Sequence, residues 1–221
     1  MLKIILPLFS LSLLFCSFGQ EDVRSQKIID DMVAKFKSYP SVCINFSATV
    51  SQMQDDSEMD FEGKIWLKTN KYKLETQEQV LYFDGVKLYQ HLIPEKEVNV
   101  SKPEPNESNE DFQLLNPQTY FNLSSKSFKS VFIKETTIFK RKVSEIDLYP
   151  IQVKTTKYHR IRIMVETNSL QLVYLKAFLK DGTHYEITFK PYEILSTALR
   201  DSFFMFSVIE NPDVEVIDLT F

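Results

Sequence analysis

The chain reads as an α+β, mostly β protein: one large antiparallel sheet with an amphipathic helix lying on it. Three observations predict this. From Val42 onward, apolar residues recur at every second position in a series of short stretches. Two Asp-Gly pairs, at 84–85 and 181–182, stand between such stretches where hairpins turn. Helical spacing is clear in residues 21–39, where Ile28, Ile29, Met32, Val33 and Phe36 form a stripe among charged neighbours and Tyr39-Pro40 ends the run.

The chain has 221 residues, 43% of them hydrophobic and 13% aromatic, enough for one sizeable core and too few for two domains of usual size. Its 26 basic and 30 acidic residues are interspersed, and no basic patch supports nucleic-acid binding. The N-terminus has its own pattern. Met1-Leu2-Lys3 precedes the apolar run IILPLFSLSLLF, and small residues follow at Ser17 and Gly19. This predicts a signal peptide over residues 1–19, cleaved before Gln20, with one domain over 20–221. The run is short for a membrane span. Acylation at Cys16 is the lesser expectation, because Phe15 stands where a lipidation motif wants a small residue. Cleavage removes one Lys and moves the net charge from −4 to −5. Cys43 is then the remaining thiol, so no internal disulfide can form, and its place in VCINF predicts a buried residue.

After the helix, VCINFSATVSQM, DFEGKIWLKT, YKLETQ, VLYFD and VKLYQHLI read as consecutive strands. A second series follows: IDLYPIQV, YHRIRIMVE, LVYLKAFL, THYEITFKPYEI and VEVIDLTF. At the first Asp-Gly, a two-residue loop would set Phe83 opposite Val86 and Leu81 opposite Leu88, giving one fully apolar face. At the second, the three-residue loop Lys180-Asp181-Gly182 pairs Ala177 with Tyr185, Leu175 with Ile187 and Lys176 with Glu186, with Gly182 in the left-handed position of a bulge. Between the two series, residues 102–128 begin polar and become dense in Phe, Leu and Tyr around Asn116-Pro117. One or two short helices interrupted by Pro117, placed as a lid, are expected there.

No catalytic arrangement emerges. His91, His159 and His184 lack a second His or Cys at ligand spacing, and CxxC, HExxH, GxSxG and Gly-rich phosphate loops are absent. The pairs Asp30-Asp31 and Asp55-Asp56 read as solvated charges.

The residues carry a resemblance. FEGKIWLKTNKYKLETQEQVLYFDGVKLYQHLIPEKEVNV resembles the signature region of LolA-type periplasmic lipoprotein carriers, with Gly63, Trp66, Tyr72, Leu74, Leu81, Asp84, Gly85, Tyr89, Glu97 and Val98 at its pattern positions. LLNPQTYFN resembles that family's short-helix region and VEVIDLTF its terminal strand. Thr69-Asn70 stand where the family often has a basic residue and Pro, Thr220 replaces the usual Arg, and Lys73 stands at a basic position of the pattern.

The resemblance implies an unclosed, strongly curved antiparallel sheet, a half-barrel, with an N-terminal helix and short lid helices over an apolar cavity. Tyr72, Leu74, Leu81, Phe83 and Leu88 would line the cavity from the sheet, and Phe112, Leu115 and Phe121 from the lid. It further implies a monomeric periplasmic chaperone with no cofactor, metal or catalytic step. Its partners would be acylated lipoproteins, an inner-membrane lipoprotein-releasing ABC transporter and an outer-membrane receptor. A binding protein or sensor of the same fold for free lipid or glycolipid stays open as the alternative.

Overall fold

A computed structural model describes residues 23–103, 116–121, 123 and 126–220. The signal-peptide segment, Cys16, Phe112 and Leu115 lie outside the described residues. Helix α1 (Val23–Lys37) is followed by β1 (Ser41–Gln52), β2 (Ser57–Lys68), β3 (Lys71–Glu75), β4 (Gln79–Phe83), β5 (Leu88–Leu92) and β6 (Glu97–Ser101). After a short helix α2 (Pro117–Phe121) come β7 (Phe128–Ile138), β8 (Arg141–Pro150), β9 (Tyr158–Glu166), β10 (Leu172–Leu179) and β11 (Thr183–Phe189). The chain closes with β12 (Glu193–Leu195), a 3-10 turn (Asp201–Phe204) and β13 (Glu215–Asp218).

All thirteen strands form one sheet, ordered β13-β6-β5-β4-β3-β2-β1-β11-β10-β9-β8-β7, with β12 beside β1. The two ends do not pair with each other, so the sheet is an unclosed half-barrel, as the resemblance implied. Alternation assigns the faces. The inner face carries Val42, Ile44, Phe46 and Ala48 of β1, Ile65 and Leu67 of β2, and Ile161, Ile163, Leu175 and Ile187 of the later strands, all 6% exposed or less. Helix α1 lays Ile29 and Met32 into that face, with Ile28, Val33 and Phe36 half-buried beside them. Its buried Ser25 hydroxyl meets the Ser130 hydroxyl of β7 at 2.7 Å, so neither is left unsatisfied. Cys43 is buried, as its setting predicted.

The second Asp-Gly hairpin has the expected register: Ala177 faces Tyr185, Leu175 faces Ile187 and Lys176 faces Glu186. Gly182 takes φ +90°. The first hairpin corrects the expectation. Phe83 faces Leu88 and Leu81 faces Gln90, two positions away from the predicted pairing. The cause is the Asp84 carboxylate, which accepts the N–H groups of Val86 (2.8 Å) and Lys87 (2.7 Å) and moves the turn centre onto Gly85-Val86. A shift of two preserves the faces, so Leu81, Phe83 and Leu88 still share one, while Val86 projects into solvent at the turn.

Pro117 starts α2, since the first helical position has no use for its missing N–H; the segment before Asn116, where a second short helix was expected, lies outside the described residues. Strand β7 was not foreseen; a bulge between Phe132 and Lys134 breaks its alternation. The last strand pairs with β6 in parallel, not antiparallel.

The outer face divides in two. Over β2 to β5 it is covered by the chain after β12. Phe203 packs edge-on against Trp66 (5.6 Å), Phe206 against Tyr82 (6.2 Å) and His91 (5.3 Å), and Phe204 is fully buried. Asp201 pins this strap through Lys68 (2.7 Å) and Lys71 (3.0 Å). Over β8 to β11 the outer face is a ladder of ion pairs. Arg162 grips Asp147 through two hydrogen bonds of 2.7 and 2.9 Å and reaches Glu145 at 2.8 Å.

Candidate functional site

The site is built by a mismatch in strand length. β2 pairs with β1 along its whole length, from Ser57 to Leu67, but β3 joins it only from Lys64 onward. β3 leaves at Glu75 and turns through Thr76–Gln79 into β4, closed by the Thr76 N–H donating to the Gln79 carbonyl (2.9 Å). A cavity of about 780 Å³ lies between the overhanging β1–β2 hairpin and this turn. Ala48, Val50, Met59, Phe61, Leu74 and Tyr185 supply its apolar wall, and the turn Thr76–Gln79 together with Asp60 and Glu62 of β2 its polar and acidic rim. Gly63 stands where the strands part. A Cβ there would lie 2.5 Å from the Phe46 ring and 2.6 Å from the Glu75 carbonyl oxygen, so glycine is what lets three elements meet.

Of the eight residues expected to line a cavity, Leu74 does so. Tyr72, Leu81 and Leu88 point to the same inner face but are packed in the core, and Phe83 lies half-buried 5.4 Å from the Tyr72 ring. Phe121 is buried beneath α1, stacked on Phe36 at 4.3 Å and edge-on to Phe189 and Tyr192. It comes from α2, the element read as a lid. The wall residues Val50, Met59, Phe61 and Tyr185 were missed. Their signal was present: period two continues through VSQMQDDSEMDFEG past the reach of YKLET.

The interior next to this cavity is neutral. Tyr72 and Tyr120 are buried, and their hydroxyls have no hydrogen-bond partner among the described residues. Burial pushes both phenols well above their ordinary pKa, so they stay protonated. Tyr192, half-buried, is satisfied: its hydroxyl donates to the Leu172 carbonyl (3.1 Å) and accepts the Leu172 N–H (3.0 Å).

Lys73 lies on the outer face, its ammonium 5.2 Å from the Trp66 and Tyr82 rings and 5.3 Å from Phe203. Thr69-Asn70 form the tight β2–β3 turn, with Thr69 at φ +52°. Among the described residues, no group of three His, Cys, Asp or Glu could hold a metal, and no helix is long and apolar enough to cross a membrane.

An unclosed sheet wraps an apolar core, and a cavity lined by apolar, polar and acidic side chains opens at one end. No family model and no curated protein sequence matches the chain. Solved structures do. An uncharacterized conserved protein from Thermus thermophilus aligns over 88% of this chain and 99% of its own, with a TM-score of 0.55 at 7% identity. A DUF1329 family protein from Desulfovibrio piger aligns over 85% and 98% (TM-score 0.49, 11% identity). A LolA superfamily protein from Nitrosomonas europaea aligns over 82% and 97% (TM-score 0.41, 12% identity). At such identities the Thermus likeness speaks to the fold alone.

Proposed function

We propose that this chain is an extracytoplasmic carrier that takes lipoprotein acyl chains into the cavity and moves them from the inner to the outer membrane. The observation that carries the reading is the 780 Å³ cavity walled by Ala48, Val50, Met59, Phe61, Leu74 and Tyr185 at the open end of an apolar half-barrel. The sequence resemblance and the signal-peptide pattern of residues 1–19 support it. A long acyl chain gains on the order of 10 kcal/mol on leaving water, at about 0.8 kcal/mol per CH₂. A soluble carrier therefore needs apolar walls that tolerate variation in shape, and it needs no catalytic group. Loading falls to an inner-membrane releasing transporter of the ABC class, and unloading to an outer-membrane receptor.

The test mixes residues 20–221 with spheroplasts of the source organism. Acylated lipoproteins should leave the membrane in soluble one-to-one complexes, while an unacylated control stays unbound. A folded chain that releases nothing beside a working transporter would refute the carrier role. The polar rim of Thr76, Gln77 and Gln79 favours one alternative, a free lipid or glycolipid whose headgroup hydrogen-bonds there. Extraction and identification of bound lipid separates the two.

A further inference from the structure

The length mismatch that opens the cavity also leaves a strand edge unpaired. From Ser57 to Gly63, β2 pairs with β1 on one side, and among the described residues no strand pairs with it on the other. This overhang is about 20 Å of extended backbone at roughly 3.3 Å per residue. Edges of this kind accept further strands unless they are blunted. The sheet's other free edges are blunted. β7 has a bulge at Ile133 and carries Lys129 and Lys134, and β13 spans four residues. The overhang, SEMDFEG, contains no Pro, Lys or bulge.

Its charge selects the occupant. Glu58, Asp60 and Glu62 alternate along one face with Met59 and Phe61 on the other, and Asp55, Asp56 and Glu78 lie on the neighbouring turns. No ion pair neutralises Glu58, Asp60, Glu62 or Glu78 among the described residues; Asp60 accepts only the Thr49 hydroxyl at 2.6 Å. A second copy of this edge would set carboxylates opposite carboxylates, which disfavours self-pairing.

We infer that the β2 overhang is a docking edge for an extended, basic segment of another polypeptide. The segment adds as a strand along the line β3 leaves at Glu75. Its backbone pairs with residues 57–63, its cationic side chains lie against Glu58, Asp60 and Glu62, and its apolar side chains face the cavity beside Met59 and Phe61. The inference stands on the edge and its charge and goes beyond the acyl-binding reading.

The test uses fluorescein-labelled ten-residue peptides alternating Lys with Ile or Val, and the same peptides with Glu replacing Lys. Fluorescence anisotropy should show the basic peptide binding at least about tenfold more tightly and weakening as salt rises. The combined variant Glu58→Gln, Asp60→Asn, Glu62→Gln should lose about fivefold or more of that affinity while keeping its circular dichroism and melting temperature. Hydrogen exchange should slow within residues 57–63 on binding. No binding, equal binding of both peptides, or protection at β7 instead would overturn the inference. Acyl binding of the unmodified chain is measured separately with a fluorescent fatty acid. A chain that binds the basic peptide but, measured without peptide, not the fatty acid overturns the carrier reading alone, and the reverse pattern overturns this inference alone.

Discussion

One sheet finishes its outer surface in two ways. Over the end of β2 and the short strands that follow it, Trp66, Tyr82 and His91 are covered by Phe203 and Phe206 from the chain's own end, beside the fully buried Phe204. Over the long strands β8 to β11, nothing comparable lies on top among the described residues, and Glu145, Asp147, Arg160, Arg162, Lys176 and Glu186 pair across strands. The short strands offer too little width for a ladder of long charged side chains, and their outer face mixes aromatic rings with Lys71, Lys73 and Glu75. The rings need a cover, and the strap is that cover. The long wing covers itself, because each Arg lies flat over its neighbour, as Arg160 does 4.0 Å above the Phe178 ring.

Cutting the strap's anchor should have the largest effect. Phe204→Ala leaves a hole where a fully buried ring sat, and urea unfolding should show a loss of about 3–5 kcal/mol. The matching cut in the long wing is Asp147→Ala. It leaves Arg162 without its two-point partner, but the arginine is 28% exposed and water can reach it, so about 1–3 kcal/mol is expected. Salt sharpens the contrast. In about 1 M NaCl, the Asp147 effect should shrink while the Phe204 effect stays. Equal salt sensitivity would end the distinction between the wings.

Acid reaches the two wings through different groups. His91 lies against Phe206 and His184 against Phe178, and burial, the leading cause in each, holds both below the ordinary 6.5. The unfolded chain takes up these protons first, so each wing loses stability as the pH falls below 6.5. Both wings have a second window: hydrogen bonds from Lys68 and Lys71 hold the strap's Asp201 carboxyl below its ordinary range, and Glu166 is held down in the same way in the long wing. The Arg141 hydrogen bond, at 2.6 Å, holds the Glu166 carboxyl below its ordinary 4.5. Its contribution is present above pH 4.5 and is lost as the pH falls through the lowered value. In urea titrations across acid pH, Glu166→Gln should flatten only part of the lower window and His91→Gln only part of the upper.

The smallest effect distinguishes the two Asp-Gly turns. Asp84 accepts two N–H groups and Asp181 one, at 2.8 Å from Thr183. Asp84→Ala should cost about 1 kcal/mol and Asp181→Ala less, read from thermal melts.

The sequence made the helix stripe, the second hairpin's register and the shared face of Tyr72, Leu74, Leu81, Phe83 and Leu88 legible, because those features follow from periodicity, while Val86, read onto that face, lies in the turn. The first hairpin slipped because dipeptide preference does not say whether Asp sits inside the turn or caps it with its carboxylate. β7 hid behind its bulge, and the strap hid because DSFFMFSVIENPD has no period to read. The cavity was legible as a kind of site but not in its place. Its position depends on β2 outrunning β3, and strand length shows only once pairing partners are known. Tyr72, Leu81 and Leu88 point inward as alternation requires, yet they are buried in the core rather than exposed in the cavity.

The most direct test of the central claim titrates residues 20–221 with a fluorescent long-chain fatty acid and repeats the titration on Phe61→Glu and on Val131→Glu. Phe61 walls the cavity, whereas Val131 is an exposed residue of the far strand. Saturable one-to-one binding by the unmodified chain, weakened about tenfold or more by Phe61→Glu and unchanged by Val131→Glu, is the predicted result. Binding that ignores Phe61→Glu, or no binding to the folded chain at all, would contradict the account.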